Sequence, residues 1–274
     1  MNMSALARVD LRALKQMKAE GRKFAMLTAY DFPTAVAAEA AGVHALLVGD
    51  SMGTVLLGHE STRTTPLSLL LTLGEAVRRG APHVYLVGDM PYESVAAGAE
   101  AAVAAARRFL DEVHCDAVKF EAGSEDDGLV ARLTEAGVDT IAHLGLRPQQ
   151  VLTSDGYRAQ ARDQAGIEAL VEVARRMVAA GAVMLLIEAV PAAAAAAVVE
   201  AVDVPVIGCG AGPACDGHVL VTQDMLGIGN ARPPRFVPVH AHLGDEMQAA
   251  MKRYVDDIVQ GQYPGPAHVY GMRS

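Results

Sequence analysis

Four acidic side chains stand at the ends of short apolar runs in this sequence of 274 residues. The letters Leu-Val-Gly-Asp end at Asp50 and recur ending at Asp89, a third run closes with Lys119-Phe120-Glu121, and a fourth ends at Glu188. A carboxylate buried at the end of an apolar strand is costly unless it is paired or binds a metal ion. The repetition of this costly feature predicts that the acids share one site.

Carboxylate oxygens suit a hard cation such as Mg²⁺, which leaves coordination positions open for a bidentate substrate. A 2-oxo acid offers such a pair of oxygens, and the metal would polarise its ketone and stabilise an enolate. Glu188, on a different strand, is the expected base that removes the proton beside the ketone. Lys119 and Glu121 are two residues apart, so both are expected on one face of their strand. The pattern does not choose between Mg²⁺ and other divalent ions such as Mn²⁺.

Simpler explanations apply to each of these residues taken singly. An acid at a strand end is often a helix N-cap or a turn residue, and Asp50 or Asp89 alone would fit that description. Lys119 alone would serve only to neutralise Glu121. The four acids taken together favour the shared site over these readings.

Alternating apolar runs and helical stretches must position these residues. An extra helix is predicted at Leu11–Gly21 before the first strand, and a last long helix is predicted at Ala241–Gly261. Eight strands alternating with helices predict a (β/α)₈ TIM barrel that forms a single domain over residues 1–274. The predicted strands are Phe24–Tyr30, Ala45–Asp50, Val84–Asp89, Ala117–Glu121, Asp139–Leu144, Val183–Ala189, Val204–Cys209 and Phe236–Val239.

A doubly wound open sheet is the alternative architecture. Its usual marker is a Gly-rich turn after the first strand, and the segment Thr28–Pro33 contains no glycine. The later segment Gly208–Gly212 is rich in glycine but has no convincing acidic partner at the end of a following strand. The barrel is therefore the preferred prediction.

Composition and charge argue against several classes of function. A formal net charge of −9, 4% aromatic residues and no Trp argue against nucleic-acid binding. Three cysteines match no zinc-binding pattern and are expected to be reduced thiols. The longest apolar region, Ala182–Val199, is interrupted by Glu188 and Pro191. We therefore predict no contact with a membrane and a cytoplasmic location.

Ordered motifs along nearly the whole chain resemble the ketopantoate hydroxymethyltransferase family. They begin with Lys23–Asp31, include the acid-containing segment Val48–Gly53 and end at Tyr263–Gly265, and as a set they are highly specific. The segments that carry the resemblance are Lys23–Asp31, Val48–Gly53, Gly58–Thr62, Arg78–Pro82, Asp89–Pro91, Val118–Glu121, His143–Gln149 and Gly208–Gly217.

The resemblance implies a barrel in the wider superfamily of phosphoenolpyruvate mutase and isocitrate lyase. It also implies a folate-dependent one-carbon transferase of pantothenate biosynthesis. Such an enzyme moves a hydroxymethyl group from 5,10-methylenetetrahydrofolate to 3-methyl-2-oxobutanoate and gives 2-dehydropantoate. The family forms homodecamers of two stacked rings of five, so the same assembly is expected for this chain.

Roles for single residues also follow from the resemblance. Asp50 and Asp89 match the direct Mg²⁺ ligands, and Glu121 matches a third acid of the metal site that acts through water. Glu188 matches the proton acceptor, and Lys119 matches the residue that faces the substrate carboxylate. The residues that the resemblance places against the 2-oxo acid are Asp50, Ser51, Asp89, Lys119 and His143.

The sequence departs from the family pattern at several positions. Arg63–Pro66 replaces the usual Leu-Pro-Val-Thr, and Tyr92 replaces a usual Phe. The loop Asp155–Ala161 has one glycine before its aromatic residue where the family has two, and it lacks the later Gln-Gly pair. Because that loop is expected near the barrel mouth, the chain could act on another 2-oxo acid. A lyase or mutase of the same superfamily is a further alternative, but the catalytic-loop cysteine motif of those enzymes is missing here. A non-catalytic paralogue is disfavoured because all five charged residues are retained.

Overall fold

A closed barrel of eight parallel strands forms the centre of the computed structural model, which describes residues 7–151, 158–229 and 232–272. Each strand pairs with the next along the chain, and the last strand pairs with the first. The predicted barrel is confirmed, and the open doubly wound sheet is excluded. The strands are β1 Phe24–Thr28, β2 Ala45–Val48, β3 Tyr85–Asp89, β4 Ala117–Glu121, β5 Thr140–Gly145, β6 Met184–Glu188, β7 Val206–Cys209 and β8 Gly217–Leu220.

The eighth strand lies elsewhere than the sequence predicted. Phe236–Val239 is not a strand, and Gly217–Leu220 closes the barrel instead. The link from β7 to β8 contains no helix, and β8 begins with a glycine, so it lacked both signals on which the prediction depended. A Cβ atom on Gly217 would lie only 2.2 Å from the ring of Phe24 on β1. The glycine is therefore required for β8 to pair closely with β1.

Helices follow most strands, and those between β1 and β7 contribute apolar side chains to the cluster on the outside of the barrel. The predicted extra helix before β1 is confirmed, and the side chain of Asp10 caps it by accepting a hydrogen bond from the backbone N–H of Ala13. The predicted last long helix is also confirmed. The helices are α1 Leu11–Ala19, α2 Phe32–Ala40, α3 Met52–Val55, α4 Leu67–Gly80, α5 Tyr92–Ala96, α6 Ala99–Asp111, α7 Asp127–Glu135, α8 Gln164–Ala179, α9 Ala192–Ala201, α10 Thr222–Leu226 and α11 Leu243–Val259.

Two layers of buried apolar side chains reflect the two faces of each strand. On β4, Ala117 belongs to the cluster inside the barrel, whereas Val118 and Phe120 belong to the cluster between the sheet and the helices. Successive side chains of a strand point to opposite faces. Lys119 and Glu121 therefore point inward above Ala117, as their spacing predicted.

Backbone contacts group the chain into two compact units within the span predicted as a single domain. The unit Met1–Val221 contains the whole barrel, and the unit Thr222–Ser274 contains α10 and α11. No residue of α11 is buried within this chain. Among the described residues, no helix combines the length and apolar character needed to cross a bilayer.

Candidate active site

Polar side chains occupy the inward positions at the carboxyl ends of β3, β4, β5 and β6. The inward positions below them on the same strands are apolar and include Tyr85, Val87, Ala117, Ile141, Met184 and Leu186. The strand ends of a parallel barrel meet at one mouth, where catalytic groups collect. The inward polar residues are Asp89, Lys119, Glu121, His143 and Glu188.

The two Leu-Val-Gly-Asp segments have different structures despite their identical letters. Asp89 is the last residue of β3, whereas β2 ends at Val48 and Asp50 lies in the turn beyond it. Gly88 faces outward, and a Cβ atom there would lie 2.4 Å from the ring of Phe109 on α6. The backbone N–H of Asp50 donates to Asp89 Oδ2 at 3.0 Å, so the turn brings both acids together.

Asp89 and Lys119 form a buried ion pair at the centre of the mouth. Lys119 Nζ lies 2.8 Å from Asp89 Oδ1, and the two side chains are 5% and 1% exposed. Oδ1 is a buried oxygen without a directed hydrogen bond in the described part of the chain. It therefore keeps acceptor capacity that a cation or a substrate could use.

Three carboxyl groups and one ammonium group are buried together at the mouth. Burial raises the pKa of Asp89, an effect that Lys119 opposes and the nearby Asp50 reinforces. Burial likewise raises the pKa of Glu121 to about 8. Burial alone would lower the pKa of Lys119, but Asp89, Asp50 and Glu121 together hold it above its usual range. One ammonium group thus faces three carboxyl groups, and a divalent cation would relieve this imbalance.

Gln149 connects two of the acids, Asp50 and Glu121, with the backbone just beyond β3, and it was not singled out from the sequence. Its side-chain Nε2 donates to Asp50 Oδ2 at 2.8 Å and to the carbonyl of Met90 at 3.1 Å. Its backbone N–H donates to both carboxylate oxygens of Glu121, at 2.9 and 3.1 Å. The only available signal was its place in the motif His143–Gln149, because an amide side chain is neither ionisable nor nucleophilic.

His143 lies between Lys119 and the expected base Glu188. Lys119 Nζ is 3.3 Å from His143 Nδ1, and His143 Nε2 is 3.2 Å from Glu188 Oε2. Because an ammonium group can only donate, Nδ1 must accept, and the ring proton is thereby assigned to Nε2 facing Glu188. Burial, reinforced by Lys119, lowers the pKa of His143, so the ring is neutral at pH 7. The contact with Glu188 is close but lacks the alignment of a directed hydrogen bond.

Ser51 is held at the mouth by a residue that the sequence reading also left without a role. The hydroxyl groups of Ser51 and Tyr30 lie 2.8 Å apart, and Tyr30 is fully buried just beyond β1. Burial raises the pKa of Tyr30 well above its usual value, so the phenol remains protonated. Tyr30 appears in the motif Lys23–Asp31, which was noted only as part of the resemblance.

The donor set fits a hard divalent cation. Asp50 and Asp89 are both buried, and their combined charge exceeds that of Lys119. Within the ranges that the structure describes, no three His, Cys, Asp or Glu side chains lie close enough to share one ion. Mg²⁺ commonly binds one or two carboxylates and keeps several waters. Two direct carboxylates with Glu121 acting through water match that preference.

Two of the departures from the family pattern contact each other. The guanidinium carbon of Arg63 lies 3.8 Å from the centre of the Tyr92 ring, which is a cation–π contact. Tyr92 and Glu121 both line a cavity of about 300 Å³ beside the mouth. In the third departure, Asp155–Ala161, residues 155–157 lie outside the described residues. Its described end approaches β6, because the backbone N–H of Gln160 donates to the carbonyl of Ala189 at 2.9 Å.

Solved structures with this fold define the class of barrel. The chain matches a structure of phosphonopyruvate hydrolase in complex with oxalate and Mg²⁺ with a TM-score of 0.59 and 14% identity, over 96% of this chain and 92% of that one. It matches 2,3-dimethylmalate lyase with a TM-score of 0.60 and 16% identity, over 93% and 89% of the two chains. The predicted barrel fold is therefore confirmed, and the second of these structures is described as a member of the phosphoenolpyruvate mutase and isocitrate lyase superfamily.

Comparison with related sequences identifies the family to which this barrel belongs. The sequence model described as ketopantoate hydroxymethyltransferase matches residues 8–266. The 3-methyl-2-oxobutanoate hydroxymethyltransferase of Geobacillus kaustophilus (strain HTA426) is 43% identical over 94% of this chain and 92% of its own length. The protein of the same name from Carboxydothermus hydrogenoformans is 42% identical over 97% and 96%. The chain belongs to the ketopantoate hydroxymethyltransferase family, and the prediction of a transferase enzyme is confirmed.

Proposed function

We propose that this chain transfers a hydroxymethyl group from 5,10-methylenetetrahydrofolate to 3-methyl-2-oxobutanoate and gives 2-dehydropantoate for pantothenate biosynthesis. Family membership supports hydroxymethyl transfer, and the names of the relatives supply the acceptor. One observation of the site carries the proposal. Asp89, Lys119, His143 and Glu188 form a continuous row, with a fixed positive charge near one end and a carboxylate base at the other.

The 2-oxo acid is bound by its two oxygen-bearing groups. Lys119 Nζ has three N–H donors, and the contacts with Asp89 and His143 leave one for the substrate carboxylate. Asp50 and Asp89 would hold a divalent cation such as Mg²⁺, with Glu121 acting through water. When bound, that cation withdraws electron density from the 2-oxo group and makes the neighbouring C3 proton more acidic.

Glu188 then accepts the C3 proton. The electron pair of the broken C–H bond forms the new bond to the methylene carbon of the folate, which leaves both folate nitrogens. One water molecule supplies the hydroxyl oxygen of the product. The C3 proton and the second water proton complete the two N–H bonds of tetrahydrofolate, so the reaction balances.

His143 supports the base without competing for the proton. The neutral ring presents its Nε2–H to Glu188 and has no free lone pair on that side. The Glu188 side chain is 18% exposed, compared with 1% for Asp89, so it is the acid that a substrate in the mouth can reach. A general base of this kind contributes roughly 10²–10⁴-fold to a proton-transfer step.

Deuterium exchange tests the first step without the folate. The protein is incubated in D₂O with Mg²⁺ and 3-methyl-2-oxobutanoate, and the C3 proton signal is followed by NMR. Wild-type protein is expected to exchange this proton. Glu188→Gln is expected to slow exchange by about 10²–10⁴-fold while binding of the 2-oxo acid is retained. Glu200→Gln, on the outer surface of α9, is the matched control and is expected to behave as wild type.

Three results would contradict the proposal. If folded wild-type protein leaves the C3 proton unexchanged, either the proposed substrate or the proposed proton abstraction is wrong. Equal exchange rates for wild type and Glu188→Gln would remove Glu188 from the role of base. Faster exchange of a different 2-oxo acid, such as 2-oxobutanoate, would favour a paralogue with changed substrate preference.

The homodecamer and the cytoplasmic location stay predictions.

A further inference from the structure

Gln149 is a buried polar residue in the loop that follows β5. It lies in a single 3₁₀ turn, Pro148–Gln150, after β5 and is 2% exposed, whereas its neighbour Gln150 is exposed. Burial of a primary amide is favourable only when its hydrogen bonds are satisfied. Both hydrogens of Gln149 Nε2 are used, one by Asp50 Oδ2 and one by the carbonyl of Met90.

The partners of Gln149 determine its orientation. A carboxylate and a carbonyl can only accept, so Nε2 and not Oε1 must face them. The same residue donates its backbone N–H to both oxygens of Glu121. One residue thus holds Asp50, just beyond β2, and Glu121, at the end of β4, together with the backbone beside Asp89. Because the amide of Gln149 is neutral, it adds no positive charge beside the acids, as a Lys or Arg donor would.

We propose that Gln149 is a positioning residue that holds Asp50 and Glu121 in the orientation in which they receive a divalent cation. This inference rests on the cation site of the proposed function. The bond from Nε2 engages Asp50 Oδ2 and stops the carboxylate from rotating about its χ2 bond. The two bonds from the backbone N–H hold Glu121 at a fixed distance from that carboxylate. Partners of metal ligands commonly contribute 10–100-fold to metal affinity by this means.

A purely structural role would have a different signature. If Gln149 only anchored the loop after β5, its loss would lower the melting temperature equally with and without a cation. A positioning role instead lowers cation affinity and thereby reduces the stabilisation that the cation gives. The two roles are therefore separated by measuring cation binding directly.

The test uses Gln149→Met, which keeps the length of the side chain but removes both donors. The backbone N–H that holds Glu121 is retained, so only the bonds to Asp50 and Met90 are lost. Gln150→Met is the matched control in the same turn. Mg²⁺ binding is measured by isothermal titration calorimetry without substrate, and melting temperatures are measured in EDTA and in Mg²⁺. We expect roughly 10–100-fold weaker binding for Gln149→Met and wild-type affinity for Gln150→Met.

A second variant guards against misfolding. Gln149→Asn retains the amide but is one methylene shorter, so it cannot reach both partners, and it is also expected to weaken Mg²⁺ binding. Folded Gln149 variants with the affinity of wild type would overturn the positioning role and leave the cation site intact. Wild-type protein that binds no Mg²⁺ would overturn the cation site, and the role of Gln149 with it.

Discussion

Replacing Lys119 by methionine is expected to destabilise the protein strongly in the absence of a cation. The variant keeps most of the side-chain volume but leaves Asp89, which is 1% exposed, without its ion-pair partner. Two unit charges 2.8 Å apart attract each other by about 6 kcal/mol at an effective dielectric constant of about 20. Breaking a buried pair from one side costs about 3–5 kcal/mol in proteins, because the remaining charge stays buried. We adopt that range as the expected loss in the free energy of unfolding.

The loss should depend on pH in a known direction. Burial already raises the pKa of Asp89, and removal of Lys119 removes the main effect that opposes it. An acid whose pKa is higher in the folded state than in the unfolded state binds more protons when folded. The variant therefore loses stability as pH rises above about 4, the ordinary value for Asp. The difference from wild type should be larger at pH 8 than at pH 5.

Urea unfolding followed by circular dichroism, in EDTA and at fixed protein concentration, measures this effect. Lys252→Met is the control, since Lys252 forms an exposed pair with Asp256 at 2.7 Å and should cost less than about 1 kcal/mol. The double variant Lys119→Met with Asp89→Asn should recover much of the loss, because it removes the unpaired carboxylate. A cost below about 1 kcal/mol at pH 8, or strictly additive single effects, would refute the reasoning.

Two further predictions follow from the same site. Because burial raises the pKa of Glu121 from 4.5 to about 8, the folded protein binds more protons than the unfolded chain between these values. Cation-free protein should therefore lose stability as pH rises from 4.5 through 8, and saturating Mg²⁺ should reduce that loss. Melting curves in EDTA and in Mg²⁺ with the same pH slope would contradict this. Tyr30→Phe removes the bond to Ser51, worth about 1 kcal/mol. It should raise the KM for the 2-oxo acid about fivefold with little change in kcat, and an unchanged KM in steady-state assays would exclude this contribution.

Most strands of the barrel could be predicted from local sequence patterns. Continuous apolar runs mark strands that are buried on both faces, and β4 lies at the predicted Ala117–Glu121. The spacing of Lys119 and Glu121 also predicted correctly that they share a face, because side-chain direction alternates along any strand. β8 escaped detection, since Gly217–Leu220 is short, begins with glycine and follows β7 without a helix. Its identity as a strand depends on pairing with β1 and β7.

The two Leu-Val-Gly-Asp segments show a limit of pattern reading. They appeared equivalent in sequence, but Asp89 ends a strand and Asp50 lies in a turn. The difference arises from the neighbours. Gly88 makes room for Phe109, whereas the turn after β2 is held by bonds from Asp50 N–H to Asp89 and from the Thr65 hydroxyl to the Asp50 carbonyl.

The sequence by itself determined that acids stand at or just beyond the ends of buried strands, because strand period and apolar runs are local properties of the chain. Only the folded structure determined which side chains form hydrogen bonds with these acids and with the other residues of the site. Gln149 is 99 residues from Asp50 along the chain yet donates to its carboxylate, and Tyr30 is 21 residues from the serine that it holds. Hydrogen bonds of this kind depend on closure of the barrel, which brings distant strand ends to one mouth. No local pattern encodes them, since an amide or a phenol becomes part of the site only through the partners that the fold places beside it.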